Sequence, residues 1–242
     1  MASQNNYQDV KQEYSSNNYL PSIAIVFYMI LLSSSVVGQK LISVFDIVIY
    51  AGNIIFSITY MLVVCITELY GLKQAKKIII TGAICNIFAS GYFYLMVKIP
   101  GATFWVNQDP FSKTILITAN ILFTSTIAYV VSEIANAKIV ARLKIFFNNK
   151  LFIIRAIAST SIATIVDTTF MLPVIIKHSP DKIMVIYASL IFIKLLYSLV
   201  LIPFLWILVE FLKKNEHFPN NKEKVPFSSV YYYKKIHLIN KN

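Results

Sequence analysis

Six long apolar runs, separated by short polar stretches, follow one another along the chain. Each run has 18 residues or more, close to the roughly 20 that an α-helix needs to cross about 30 Å of hydrocarbon. The connections contain helix-breaking residues such as Gly71, Pro100 and Pro180. The sequence therefore predicts an all-α polytopic membrane protein with six transmembrane helices. The predicted spans are Leu20–Val37, Ile47–Ile66, Ile78–Val97, Thr114–Ile134, Leu151–Ile176 and Ile183–Leu212.

The two ends of the chain are polar, so residues 20–212 are predicted to form the membrane domain. Residues 1–19 lack a basic region next to an apolar core, and we expect no cleavable signal peptide there. Residues 213–242 are basic and are predicted to be a mostly disordered cytoplasmic tail. Contact of its lysines and of Tyr231–Tyr233 with anionic lipid remains open, although a solubilising tail is the simpler interpretation.

Composition agrees with this membrane assignment. The chain has 242 residues, of which 57% are hydrophobic and only 14% are charged, unlike an ordinary soluble domain. Its formal net charge is +11, but the lysines lie mainly between and after the apolar runs. We therefore interpret the charge as a signal of membrane topology and expect no binding to nucleic acid.

The distribution of basic residues predicts the orientation. Six spans place both termini on one side, together with the loops after the second and fourth spans. Of the 22 lysines and arginines, 15 lie on that side and five on the other, while Arg155 and Lys194 lie inside spans. The positive-inside rule then puts both termini in the cytoplasm. The five on the opposite side are Lys40, Lys98, Lys113, Lys177 and Lys182.

Two glutamates, Glu68 and Glu133, are predicted near the ends of the second and fourth spans, each five residues before a lysine. A carboxylate near a helix C-terminus opposes the helix dipole, so each needs a partner or a role. One interpretation is an ion pair with loop lysines in the headgroup zone. The other is that Arg155, one turn into the fifth span, meets Glu68 or Glu133 in a charged gate or the inner half of a site.

The fifth span carries an unusual polar face. Thr160, Thr164, Asp167 and Thr168 have spacings that place them broadly on one side of a helix. Their hydroxyls can line a site or can bond back to the helix backbone. Asp167 is about 18 Å from Arg155 along the helix, so the two cannot pair. Charged groups at this depth are costly and usually line a solute path.

Asp167 therefore needs another partner, and Lys194 in the sixth span is the candidate. The two helices are joined by a short loop, which favours antiparallel packing. Asn86, near the middle of the third span, is a further polar group at that depth. A snorkelling lysine is the alternative, but Lys194 is far from either end of its span.

The sequence contains no convincing catalytic set. The three histidines lie in a loop and in the tail, so neither metal ligation nor a nucleophile relay inside the membrane is supported. A phosphate-binding GxxxxGK[ST] loop is also missing from the sequence. We therefore predict a protein that is not an enzyme and uses no cofactor or metal. The histidines are His178, His217 and His237.

Three segments, in this order, resemble motifs of the queuosine precursor transporter family, also called the vitamin uptake transporter family. They are ITYMLVVCITELYGLKQAKK, VVSEIANAKIVARLK and RAIASTSIATIVDTTFM. The similarity runs over roughly residues 20–213. The chain has Val64, Glu133 and Asn136 where the family often has aspartate, glutamine and aspartate. The matching motif positions are Glu68, Tyr70, Gly71, Arg155, Ser159, Thr160, Asp167 and Thr168.

The resemblance implies a bacterial inner-membrane importer of 7-deazaguanine bases, such as 7-cyano- or 7-aminomethyl-7-deazaguanine, salvaged for queuosine in transfer RNA. A carboxylate can accept the adjacent N–H groups of such a ring, with Asp167 the first choice and Glu68 the second. Arg155 or Lys194 would hold a carboxylate in place or meet the ring carbonyl. The full set of candidate substrate-binding residues is Asp167, Glu68, Arg155, Lys194, Asn86, Glu133, Tyr70, Ser159, Thr160 and Thr168.

Two questions about energy remain open at the level of sequence. Coupling to protons or another ion through Asp167, Glu68 or Glu133 is compatible with the residues. The alternative function is a substrate-binding membrane component of a vitamin or base uptake system that a separate ATPase module energises. In both cases the partners are a small-molecule substrate and the lipid bilayer.

Overall fold

The computed structural model describes residues 19–44, 47–172 and 183–215. The described chain is helical apart from one short β-hairpin. Five of its helices are long and apolar enough to cross a membrane. The predictions for the N-terminal segment, for the end of the fifth span and for most of the tail lie outside the described residues. The elements are α1 Leu20–Val37, β1 Leu41–Val44, β2 Ile47–Tyr50, α2 Gly52–Lys98, α3 Gln108–Phe146, α4 Phe152–Phe170 and α5 Ile183–Asn215.

A hairpin occupies the start of the second predicted span and the residues before it. Strands β1 and β2 pair antiparallel, with Leu41 opposite Tyr50, and the Ala51 amide donates a hydrogen bond to the Lys40 carbonyl at 2.8 Å. The predicted start of this span at Ile47 is therefore wrong, because the helix begins at Gly52. The run IVIY is rich in β-branched residues, which favour a strand where a pairing partner is close.

Helix α2 is broken at Gly71. This residue has φ 84° and ψ 165°, a backbone region that is essentially restricted to glycine. It separates two helical segments, α2a (residues 52–70) and α2b (residues 72–98). The helix ends at Lys98 because Ile99 is extended, as expected for a residue that precedes proline.

The chain reverses direction at Gly71, and the hydrogen bonds to α3 show it. The Asn136 amide donates to the Tyr60 carbonyl, and the Lys144 ammonium donates to the Glu68 carbonyl, so α2a runs parallel to α3. In α2b the Tyr129 hydroxyl donates to the Ile79 carbonyl. Ser90 donates to the Ala119 carbonyl. This second segment is therefore antiparallel to α3.

Helix α3 is longer than predicted. It has 39 residues and continues to Phe146, about 58 Å at 1.5 Å per residue, whereas we predicted an end at Ile134. Residues 135–146 contain neither proline nor glycine and are mostly good helix formers. Glu133 consequently lies well inside the helix, away from its C-terminus.

A tight turn joins α3 to α4. Asn148, Asn149 and Leu151 all have positive φ, and asparagine tolerates this left-handed conformation better than most residues. Helix α4 ends at Phe170, six residues before the predicted end of the span, so Asp167 lies in its last turn. Helix α5 covers Ile183–Asn215 of the described chain.

The outer faces of the helices are apolar and exposed, while the polar side chains are buried between them. Phe88, Phe123 and Phe204 are more than half exposed, as expected for side chains that face lipid. Buried charged residues come from α2a, α3, α4 and α5. The buried polar side chains therefore lie inside a helix bundle whose apolar outer surface suits a lipid bilayer.

Candidate functional site

The five buried charged residues of the described chain fall into two separate clusters. The Arg155 cluster consists of Glu68, Lys144 and Arg155. The central cluster consists of Thr59, Tyr60, Glu133, Asn136, Asp167 and Lys194. Arg155 and Asp167 are 12 residues apart on α4, which corresponds to about 18 Å.

The Arg155 cluster ties the start of α4 to the end of α2a. The Nη1 atom of Arg155 donates to Oε2 of Glu68 at 2.8 Å, and Nη2 donates to Oε1 at 3.3 Å. The third donor, Nε, bonds the Lys150 carbonyl in the preceding turn at 3.0 Å. Arg155 is 0% exposed. This planar, bidentate arrangement is the one for which arginine is suited and lysine is not.

Lys144 is a second cation on Glu68. Its Nζ atom donates to the Glu68 carbonyl at 2.7 Å and lies 3.5 Å from the carboxylate oxygen Oε1. The predicted meeting of Arg155 with Glu68 is confirmed. Lys144 was counted only as a topology signal in the sequence, because the predicted span ended before it. The ion pairs of this cluster hold the C-terminal ends of α2a and α3 against the start of α4.

Asp167 and Lys194 form a second buried ion pair. The Lys194 ammonium donates to Oδ2 of Asp167 at 2.6 Å, and the two side chains are 6% and 4% exposed, respectively. The ammonium also lies 5.8 Å from the centre of the Phe56 ring, within the range of a cation–π interaction. The predicted pairing of these two residues is confirmed, and the snorkelling alternative for Lys194 is wrong.

Glu133 belongs to the central cluster and not to the Arg155 cluster. It is 0% exposed, so the headgroup interpretation is wrong for this residue. The Thr59 hydroxyl lies 2.7 Å from Oε1, and the Asn136 amide donates to Oε2 at 3.4 Å. In the part of the chain that the structure describes, Glu133 has no ion pair. The cause of the misplacement is the unexpected length of α3.

Several polar atoms around this cluster are buried without a hydrogen-bond partner among the described residues. The Tyr60 hydroxyl lies beside Asp167 and Ser132 without bonding geometry to either. Buried polar groups are almost always satisfied, so this group of atoms marks a place suited to water or a polar ligand. The others are Asn136 Oδ1 in the cluster, Thr164 Oγ1 one turn before Asp167, and Thr160 Oγ1, which lies on α4 between Arg155 and Asp167.

The remaining predicted site residues are less directly placed. The hydroxyls of Ser159 and Thr168 donate to backbone carbonyls of their own helix, at 3.1 and 2.9 Å. Asn86 is 1% exposed, and no hydrogen bond between described residues joins it to Asp167 or Lys194. Tyr70 is half-buried beside the break at Gly71. The back-bonding interpretation of the serines and threonines therefore holds for Ser159 and Thr168 but not for Thr160 and Thr164.

Two central residues, Thr59 and Tyr60, were missed in the sequence. They look like ordinary members of an apolar span, and only the packing of α2a against α3 and α4 brings them to Glu133 and Asp167. One signal was available. Both lie on the motif-bearing span, eight or nine residues before Glu68.

Comparison with known proteins identifies a family for the chain. A family model described as "Putative vitamin uptake transporter" matches residues 50–208, about two thirds of the chain. The matched range includes every residue of both clusters. No curated protein and no solved structure matches the chain.

Proposed function

The chain belongs to the vitamin uptake transporter family, and from this premise we propose that it imports 7-deazaguanine bases, the precursors of queuosine, across a bacterial inner membrane. Membership of the family and the apolar helices make it a multi-pass membrane transport protein. The cargo, the membrane and the route are the proposal. They are supported by the ordered motifs in the sequence and by the chemistry of the central cluster.

Six crossings with both termini in the cytoplasm are part of the proposal. The reversal at Gly71 supports it, because α2a and α2b run in opposite directions beside α3. Each segment then crosses separately. The excess of lysine and arginine on the side of both termini supports the orientation. The Arg155 cluster would lie toward the cytoplasm, and the central cluster would lie deeper.

The ion pair between Asp167 and Lys194 is the observation that carries the proposed substrate site. A guanine-like ring presents adjacent N–H donors beside a carbonyl acceptor. The Asp167 carboxylate can accept from those donors, and the Lys194 ammonium can donate to the carbonyl. In the absence of a base the two groups neutralise each other at 2.6 Å. A base would replace that contact with complementary ones.

Other groups around the pair suit a flat, polar ring. Phe56 and Tyr60 are in edge contact, with ring centres 5.5 Å apart, and can pack against a heterocycle. The unpartnered oxygens of Tyr60, Thr160 and Thr164 supply further hydrogen-bonding groups. A site that mixes apolar walls with a few fixed polar groups is typical of small-molecule binding.

We assign the Arg155 cluster a closing role. Glu68 already has two cations, Arg155 and Lys144, so it has less capacity for a ligand than Asp167. Its ion pairs join α2a, α3 and α4 at one end of the bundle. Breaking and remaking them would open and close the path between the central cluster and the cytoplasm.

Uptake of labelled base in a strain that depends on salvage tests the proposal. Cells that express the chain should take up 7-cyano- or 7-aminomethyl-7-deazaguanine, and unlabelled deazaguanines should compete better than adenine or a vitamin. Deletion of the chain should remove this uptake. Unchanged uptake after deletion, or competition by an unrelated vitamin alone, contradicts the assigned cargo.

A further inference from the structure

Glu133 is the only buried carboxylate in the described residues without a cation. Glu68 pairs with Arg155 and Lys144, and Asp167 pairs with Lys194. Glu133 is 0% exposed and has only neutral hydrogen-bonding groups beside it. An ionised carboxylate in such a place carries a large desolvation cost, so the group needs a proton or a rearrangement of its surroundings.

The oxygen–oxygen distances around Thr59 indicate which protonation state of Glu133 the arrangement fits. The Thr59 oxygen lies 2.7 Å from the Phe56 carbonyl and also 2.7 Å from Oε1 of Glu133. A hydroxyl has one hydrogen and can donate to only one of these two oxygens. Both contacts are hydrogen bonds only if Glu133 is protonated and donates to Thr59, which then donates to Phe56. The second short contact therefore requires the carboxyl proton.

The same group also accommodates the ionised state. Rotation of the Thr59 hydroxyl turns its hydrogen from the Phe56 carbonyl to Oε1 of Glu133. The Asn136 amide has two hydrogens and can serve both Oε2 of Glu133 and the Tyr60 carbonyl. Two protonation states can thus exchange through a local rotation, in which Glu133 keeps Thr59 and Asn136 as its partners and only the Phe56 carbonyl loses the Thr59 hydrogen.

The charged and titratable neighbours of Glu133 leave it without a cation of its own. Asp167 on α4 acts on Glu133 as a like charge, and the only cation paired with Asp167 among the described residues is Lys194 on α5. The other titratable side chains that interact with Glu133 are Tyr60 on α2a and Tyr129 on α3, and neither supplies a cation. With Glu133 protonated, the central cluster has no net charge.

We propose that Glu133 is the proton-binding site that couples import to the proton gradient. This inference rests on the proposed function. The carboxyl takes up one proton while the site is open to the outside. It stays neutral while the site, with the base bound beside it, becomes open to the cytoplasm, and it then releases the proton there. One proton enters with each base, and no bond of the base changes.

Purified full-length chain in proteoliposomes tests this with Glu133→Gln, because glutamine imitates the neutral acid. Two processes are compared: counterflow of labelled 7-cyano-7-deazaguanine without a gradient, and accumulation driven by an inward gradient of about one pH unit. At one proton per base, such a gradient sustains at most about tenfold accumulation. The wild type should approach this ratio. Glu133→Gln should exchange base at a reduced rate, because Glu133 lies beside the proposed base site, and should accumulate none above equilibrium.

Glu210→Gln is the matched control, because Glu210 is exposed and pairs only with Lys213 in the described structure. It should accumulate base like the wild type. Gradient-driven accumulation by Glu133→Gln overturns the inference, as does its complete loss of counterflow, since Glu133 would then be needed for binding. Accumulation by the wild type that responds to sodium and not to pH also overturns it.

A measurement on the wild type alone guards against a variant that does not fold. A pH-sensitive dye inside the vesicles should show that the lumen becomes more acidic as base enters, at one proton for each base. Base uptake without acidification overturns the inference. Absence of wild-type counterflow for any deazaguanine would contradict the proposed function itself. Counterflow without accumulation in response to the pH gradient would leave that function standing and remove only the coupling.

Discussion

The Nζ atom of Lys194 lies 2.6 Å from Oδ2 of Asp167, in a place where neither side chain is more than 6% exposed. This contact joins the last turn of α4 to α5 and neutralises two charges that would otherwise be buried alone. It is also the contact that a guanine-like base can replace on both sides. The pair therefore serves the stability of the bundle and, in the proposed function, the recognition of cargo.

Neutralising one member of the pair should cost more stability than neutralising both. Asp167→Asn leaves the Lys194 ammonium buried without its carboxylate, for which we expect a loss of about 3–5 kcal/mol. Combining Asp167→Asn with Lys194→Gln removes both charges and should recover most of that loss. Thermal unfolding in detergent measures the difference. Both variants should insert in the membrane but lose uptake, and a double variant less stable than the single one would contradict the pairing.

Arg155→Lys should weaken the bundle even though it keeps the charge. A lysine cannot reproduce the two bonds to Glu68 together with the bond to the Lys150 carbonyl. With hydrogen bonds to charged groups worth about 1.5–3 kcal/mol each, we expect a clear fall in melting temperature. Lys213→Ala breaks an exposed pair and should change it little. Equal effects of the two changes would contradict this account.

Gly71→Ala and Gly91→Ala form a matched pair of substitutions. A Cβ atom at either position meets no atom within 4 Å, but Gly71 has φ 84° while Gly91 is helical. Alanine at 71 should therefore cost about 1–3 kcal/mol of backbone strain. Alanine at 91 should be neutral or stabilising by up to about 1 kcal/mol. Thermal unfolding of the two variants checks this, and equal stabilities would mean that the break at Gly71 is not required.

The two halves of α2 should cross the membrane separately. Single cysteines introduced in place of Lys76, just after Gly71, and of Lys40, before β1, should therefore label from opposite sides of the membrane. We expect a reagent that does not cross the membrane to reach position 40 from outside in intact cells, and position 76 only after permeabilisation. The native Cys65 and Cys85 would be replaced first. Labelling of both positions from the same side would rule out a separate crossing by α2a.

The two ion pairs could be predicted from the sequence because an intramembrane charge needs a partner within reach. The 12 residues between Arg155 and Asp167 excluded a pair within the helix. The short loop after the fifth span pointed to Lys194 for Asp167, whereas Glu68 and Glu133 both remained candidates for Arg155. Both ion pairs are present in the structure, with Glu68 as the partner of Arg155. Charge balance at low dielectric is a strong constraint that does not depend on knowing the detailed packing.

Other features of the structure depend on tertiary packing and could not be predicted from the sequence. The strands at residues 41–50 lie in a run that is also apolar enough for a helix, and only tertiary pairing selects the hairpin. The depth of Glu133 depended on where α3 ends, and the residues after Ile134 are polar enough for a loop yet remain helical to Phe146. Tyr60 became a site residue through contacts across helices, which no local pattern records.

Counterflow by the purified chain alone is the measurement that tests the central claim most directly. Proteoliposomes preloaded with unlabelled 7-cyano-7-deazaguanine should take up the labelled base without any ATPase. Asp167→Asn should reduce exchange to the level of empty vesicles, while Glu210→Gln should match the wild type. Exchange by Asp167→Asn at the wild-type rate would contradict the assigned site. Exchange by the wild type only when an ATPase partner is added would contradict an independent transporter.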